Sequence, residues 1–131
     1  MQSVQENHLY EYAVVRYLPS VEREEFVNVG LIMMCKRRRW IKVKFYVDAA
    51  RILAFNASAD INLLLSQLEG FKIIASGKAR GALCGLETHE RFRWLTAVRS
   101  ACISTSRPHP GKTSDLELTF SRLMNELVLP V

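Results

Sequence analysis

Cysteine is sparse, long apolar runs are missing, and no catalytic signature is intact. Three cysteines, Cys35, Cys84 and Cys102, are odd in number and far apart. They supply neither a disulfide framework nor the paired C-x-x-C ligands of a zinc site, and they read as reduced, mostly buried thiols. The longest uncharged apolar stretch runs only from Phe26 to Cys35 and contains Asn28, whereas a membrane-spanning helix needs about 20 apolar residues. The opening residues Met1 to Asn7 lack the basic region and apolar core of a secretory signal. A soluble protein of the reducing cytoplasm is the expectation.

Enzyme motifs fail one by one. Gly77-Lys78 is followed by Ala79 and lacks the preceding glycine spacing of a P-loop. His89-Glu90 has Arg93 where a zinc protease carries its second histidine. His8, His89 and His109 are dispersed, and Glu22, Glu24 and Glu25 sit together on an acidic turn where carboxylates are usually solvated. No catalytic residue, metal site or cofactor is assigned, and the balance leans away from an enzyme.

What is present is a chain of 131 residues and 15.0 kDa, 49% apolar and 24% charged. That composition excludes disorder and a collagen-like fibre, and it suits a single domain over residues 1–131. Eighteen basic and thirteen acidic residues leave a formal charge of +5. Six of the basic residues, Lys36, Arg37, Arg38, Arg39, Lys42 and Lys44, fall in one acid-free segment, so twelve cations face thirteen acids elsewhere. The excess is local, and a concentrated patch attracts an anionic partner more effectively than diffuse charge.

Periodicity supplies the fold class. Tyr10 to Leu18 is rich in β-branched and aromatic residues and predicts a first strand, ended by Pro19. Phe26 to Cys35 is apolar in both parities, as in a strand covered on both faces or central in a sheet. Trp40 to Asp48 alternates, with Ile41, Val43, Phe45 and Val47 on one side and Trp40, Lys42, Lys44 and Tyr46 on the other. These three strands suit an antiparallel meander.

Helical spacing follows. A cap at Ser58 or Asp60 precedes a stripe of Ile61, Leu64, Leu65, Leu68 and Phe71, with Gly70 able to end the helix early. Ser76 to Gly85 reads as an irregular connection, and a helix begins at Thr88 and runs through Val98. Ala101 to Thr105 predicts a short fourth strand, Ser106 to Thr113 a turn-rich link, and Ser114-Asp-Leu-Glu117 a capping box opening the last helix. The expected fold is therefore α+β, a small antiparallel sheet of three or four strands with helices packed on one face.

The run Tyr12 to Gly30, with its Arg16-Tyr17-Leu18-Pro19 step and Glu25-Phe26-Val27-Asn28-Val29-Gly30 sequence, resembles the start of a bacterial family known only as domain of unknown function 3037. The basic-aromatic stretch Glu90 to Ser100 and the capped last helix fit the same pattern. The resemblance spans nearly the whole chain. It carries no established reaction; it implies an accessory or regulatory role beside a HipA-like serine/threonine kinase.

Three sets of residues are candidates for function. Tyr12, Arg16, Glu25, Asn28 and Gly30 form a polar cluster if the first two strands are neighbours: an Arg16–Glu25 pair and Asn28 either pin a long turn or line a pocket. Lys36, Arg37, Arg38, Arg39, Trp40, Lys42 and Lys44 form a basic hairpin. It is either solvated surface, a nucleic-acid platform of cations beside an aromatic ring, or a contact for an acidic protein. Arg99, with Arg91 and Arg93 nearby, either meets terminal helix carbonyls or presents an anion site. The leading expectation is a non-catalytic protein-interaction module, with nucleic-acid binding as the rival and a small-ligand enzyme using Arg16, Glu25 and Asn28 as a distant third.

Overall fold

The computed structural model describes residues 6–97 and 102–130. In chain order these form strands β1 (His8–Tyr17), β2 (Val27–Cys35) and β3 (Trp40–Phe45), helices α1 (Ala49–Phe55) and α2 (Ile61–Ala75), one 3-10 turn (Gly81–Leu83), and helix α3 (Thr88–Leu95). Strands β4 (Ile103–Thr105) and β5 (His109–Thr113) follow, and helix α4 (Leu116–Leu127) closes the fold. The sheet is antiparallel, in the order β3-β2-β1, with β4 and β5 both lying along the far side of β1. The α+β class is as expected, with a fifth strand added. None of the described helices is long and apolar enough to cross a membrane.

The doubly apolar character of β2 has a direct cause. One face of the sheet presents Ala13, Val15, Ile32 and Met34 to Ile52 of α1, to Leu64, Leu68 and Phe71 of α2, and to Phe92 and Leu95 of α3. The other presents Tyr10, Val14, Leu31, Met33 and Cys35 to Leu116, Phe120, Leu123 and Met124 of α4. Helices thus cover both faces rather than one, because the single stripe of α4 fills the side that α1–α3 leave open.

A bulge adjusts the parity of β2. Val15 lies opposite Gly30, but Arg16 lies opposite Asn28, which leaves Val29 as the extra residue. Val27 and Val29 therefore join the α1–α3 face, although strict alternation would place them with Leu31 and Met33. Gly30 sits where the ring of Phe45 crosses β2: a Cβ there would lie 2.5 Å from Phe45 Cδ1 and 2.9 Å from the Lys44 carbonyl oxygen.

The helix starts share one device. All three aspartates of the chain are caps: Asp48 accepts from Arg51 N, Asp60 from Leu63 N, and Asp115 from Leu118 N. Each bond satisfies a backbone donor that the helix leaves unpaired, a contribution of about 1 kcal/mol. The last cap falls one residue later than the expected Ser114 box, so Glu117 is not needed at the helix start and turns to other partners. Glu90 closes α3 by accepting the Glu87 N–H at 3.0 Å.

Several local expectations change. Gly70 does not end α2, because Leu64, Leu68, Phe71 and Ala75 are all held in the core and outweigh a glycine cost of about 1 kcal/mol. Ala49–Phe55 is helical although its stripe is too short to show in the sequence. The predicted turn over 109–113 is instead β5, an edge strand in which Pro110 is tolerated and Gly111 leaves room for the Tyr10 ring. Between β4 and β5, Ser106 bridges the break: its N–H donates to the Val14 carbonyl and its hydroxyl accepts from Val14 N–H, both at 2.9 Å. Among the thiols, Cys35 is buried and Cys102 half-buried, but Cys84 is exposed beside the 3-10 turn.

Gly30→Ala should lower stability by about 1–3 kcal/mol, the range for overpacking a filled site, measured as a shift in urea midpoint. Adding Phe45→Leu should recover part of that loss.

Candidate functional site

The basic segment makes a tight turn at the end of the β2–β3 hairpin. Arg39 N–H donates to the Lys36 carbonyl at 3.1 Å, and Arg39 takes a left-handed backbone with φ of 49°. That conformation favours glycine and costs an L-residue about 1 kcal/mol or more. Lys36, Arg37, Arg38 and Arg39 are all exposed. Arg37 approaches Glu6 at 3.7 Å, whereas Lys36, Arg38 and Arg39 have no acidic partner among the described residues.

The turn borders an open cleft of about 800 Å³ that reaches the first turn of α3. Arg91 is among its lining residues and is firmly held, donating from Nε to the Ala75 carbonyl at 3.1 Å and from Nη1 to the Leu86 carbonyl at 2.9 Å. His89 lies 3.5 Å from Glu87 on the same rim. The cleft therefore joins mobile-length turn cations to a fixed guanidinium, an arrangement that receives carboxylates or phosphates.

The remaining cations of the hairpin are placed differently. Lys42 Nζ donates to Glu117 Oε2 at 2.6 Å, Trp40 Nε1 donates to Glu117 Oε1 at 3.4 Å, and Lys42 also lies over the Phe120 ring at 5.0 Å. Trp40 and Tyr46 pack on the α4 core. Lys44 alone stays exposed on β3. Helix α4 has thus covered the row of Trp40, Lys42 and Tyr46 that the alternation of β3 placed on one side.

The proposed polar cluster is divided in the same way. Arg16 and Asn28 are cross-strand neighbours. Glu25 instead pairs with Arg23 at 2.6 Å in solvent. Tyr12 stacks at a tilt on His109, ring centroids 5.2 Å apart, and Gly30 meets Phe45. Asn28 Nδ2 donates to the Leu127 carbonyl at 3.0 Å and secures the end of α4.

Arg16 lies over the Phe26 ring, its guanidinium carbon 4.0 Å from the centroid. Arg16 Nε and Asn28 Oδ1 are both buried without a hydrogen-bond partner among the described residues. Burial alone pushes the Arg16 guanidinium below its ordinary pKa. Arg99 lies outside the described residues, while Arg93 pairs with Glu11 through Nη1 at 2.8 Å and ties α3 to β1. That hydrogen bond holds the Arg93 pKa above its ordinary value.

Phe26 is the participant that sequence patterning misses. Phe26 reads as the first residue of an apolar strand, yet it is 42% exposed and serves as a lid on Arg16. Arg91, named with Arg93 and Arg99 as a candidate anion site, borders the cleft beside the basic turn.

The Lys42 hydrogen bond, the first of several causes, depresses the Glu117 pKa. A carboxylate depressed in the folded state stabilises above its unfolded pKa of about 4.3 and loses that contribution as pH falls through the lower folded value. Because the pair is solvent-exposed, its worth is about 0.2–1 kcal/mol. Glu117→Gln should therefore lower stability slightly near neutral pH, and the difference from the native protein should vanish in acid, as followed by thermal melts across pH.

No curated protein and no solved structure matches the chain. A family model described as protein of unknown function (DUF3037) matches residues 12–128, from the first strand to the end of the last helix. The chain belongs to the DUF3037 family.

Proposed function

We propose that the protein is a non-catalytic interaction module that holds an acidic protein surface on the basic turn Lys36–Arg39 and the adjoining cleft. The observation that carries this reading is the set of turn cations, Lys36, Arg38 and Arg39, without acidic partners among the described residues, together with Arg39 kept in a left-handed conformation. Glycine or asparagine would relieve that backbone. Retaining arginine there makes sense if the charge is used.

An acidic protein is favoured over nucleic acid by the fate of the aromatics. Single-stranded nucleic acid needs open rings for base stacking beside its phosphate contacts, and Trp40 and Tyr46 are engaged by α4. A short turn of flexible cations in front of the fixed Arg91 suits carboxylates spaced along a protein surface. The partner to test first is a HipA-like kinase, which the family resemblance suggests.

The kinase and this protein should co-elute in size-exclusion chromatography at about 0.1 M salt, and the complex should weaken markedly near 0.5 M as charge is screened. Joint reversal of Lys36, Arg38 and Arg39 to Glu should abolish co-elution without moving the melting temperature. Persistent separate peaks at micromolar concentrations reject this partner; tight, salt-sensitive binding of single-stranded DNA by the native chain would replace the reading with nucleic-acid recognition.

Arg39→Gly separates the turn's backbone from its charge. It should melt at or above the native temperature, because the left-handed strain is relieved, while binding the partner more weakly.

A further inference from the structure

A second concavity, of about 620 Å³, lies at the sheet margin away from the basic turn and is bordered by Arg16, Phe26, Ser104, Thr105 and Arg107. Its floor is set by register: Asn28, Arg16 and Ser104 stand level across β2, β1 and β4. Arg16 continues the parity of Tyr10 and Val14, which α4 covers, but α4 ends at Leu127, where Asn28 holds its last carbonyl. Phe26 lies over the guanidinium instead.

The chemistry of this corner is incomplete. Arg16 is half-buried, forms no ion pair or hydrogen bond with any described residue, and has its Nε buried and unpartnered. A half-buried cation without a counter-charge among the described residues is costly, and this one borders a cleft open to solvent. Leu18, Val21 and Pro108 supply apolar walls, with Val21 48% and Phe26 42% exposed.

We propose that this cleft binds a monocarboxylate bearing an apolar body, its carboxylate on the fork of Arg16 and its body against Phe26 and Val21. A guanidinium fork matches the planar, two-oxygen geometry of a carboxylate, and the hydroxyl of Ser104, level with Arg16 across the strands, adds a donor of the right kind. Charge balance sets the valence. Among the described lining residues Arg16 and Arg107 meet one acid, Glu24, so one positive charge is left over there, which suits a monoanion better than a phosphate dianion. A free acid and the terminal carboxylate of a peptide share this chemistry.

Titration calorimetry and thermal melts with 3-phenylpropionate and hexanoate, with their primary amides, and with an N-acetylated peptide ending in a phenylalanine carboxylate test the site. The acids, the peptide or both should bind and raise the melting temperature, and the pattern identifies the source; the amides should do neither. Arg16→Lys, which keeps the charge but loses the fork, should weaken binding roughly tenfold, as loss of a charge-assisted bond does. Arg16→Met should abolish binding while the unliganded protein melts at or above the native temperature, because an unpaired half-buried cation is gone; a purely structural arginine would lower it. If that variant fails to fold, Phe26→Ala and Arg107→Gln should still weaken binding several-fold. Absence of binding by every carboxylate at about 10 mM, equal binding of the amides, or a folded Arg16→Met that binds like the native protein overturns the proposal; a reading of the basic turn is untouched by any of these results.

Discussion

Strand β2 has water on neither side, and that constraint orders the rest of the molecule. A strand in the middle of an antiparallel sheet can keep one polar face; this one cannot, since Val27, Val29, Ile32 and Met34 bury on one side and Leu31, Met33 and Cys35 on the other. Burial of a large apolar side chain contributes roughly 1.5–3 kcal/mol, so leaving either set bare would be ruinous for a domain of ordinary stability. Two layers of helix are the outcome. The bulge at Val29 and the absent side chain at Gly30 are the adjustments that let one strand serve both.

Covering the second face has an electrostatic consequence. When α4 lies across β3 it brings Glu117 to Lys42 and Trp40, while the aspartates are already occupied at helix starts. Glu11 and Glu25 are held by Arg93 and Arg23. Acid is therefore committed to architecture across much of the fold, and Lys36, Arg38, Arg39 and Arg16 are left without an acidic partner among the described residues. Both candidate sites hold cations that no described carboxylate pairs with.

The parts that sequence patterning revealed are those governed by short-range periodicity. The apolar stripe of α4, the alternation of β3 and the double parity of β2 all describe how one element meets its neighbours, and each was legible. The side of the sheet that α4 takes was not, because an amphipathic stripe requires a partner without naming which. Strand β5 was hidden for a different reason: His109-Pro-Gly-Lys carries turn formers, and only the Tyr10 ring lying over Gly111 makes that composition suitable for an edge. The candidate site was half legible. Concentrated charge at 36–39 could be counted, but the pairing of Glu25 with Arg23 and the placement of Phe26 over Arg16 depend on the path of the 19–26 connection, where no periodicity operates.

The margin formed by β4 and β5 has a further meaning. Sheet edges invite extension by a foreign strand, since their outward amides are unmet. Here Pro110 removes one such amide within β5, and the Ser106 hydroxyl interrupts the ladder by taking the Val14 N–H for itself. A strand approaching along that border would find a broken template, with the side chains and the cleft of this margin as its remaining features.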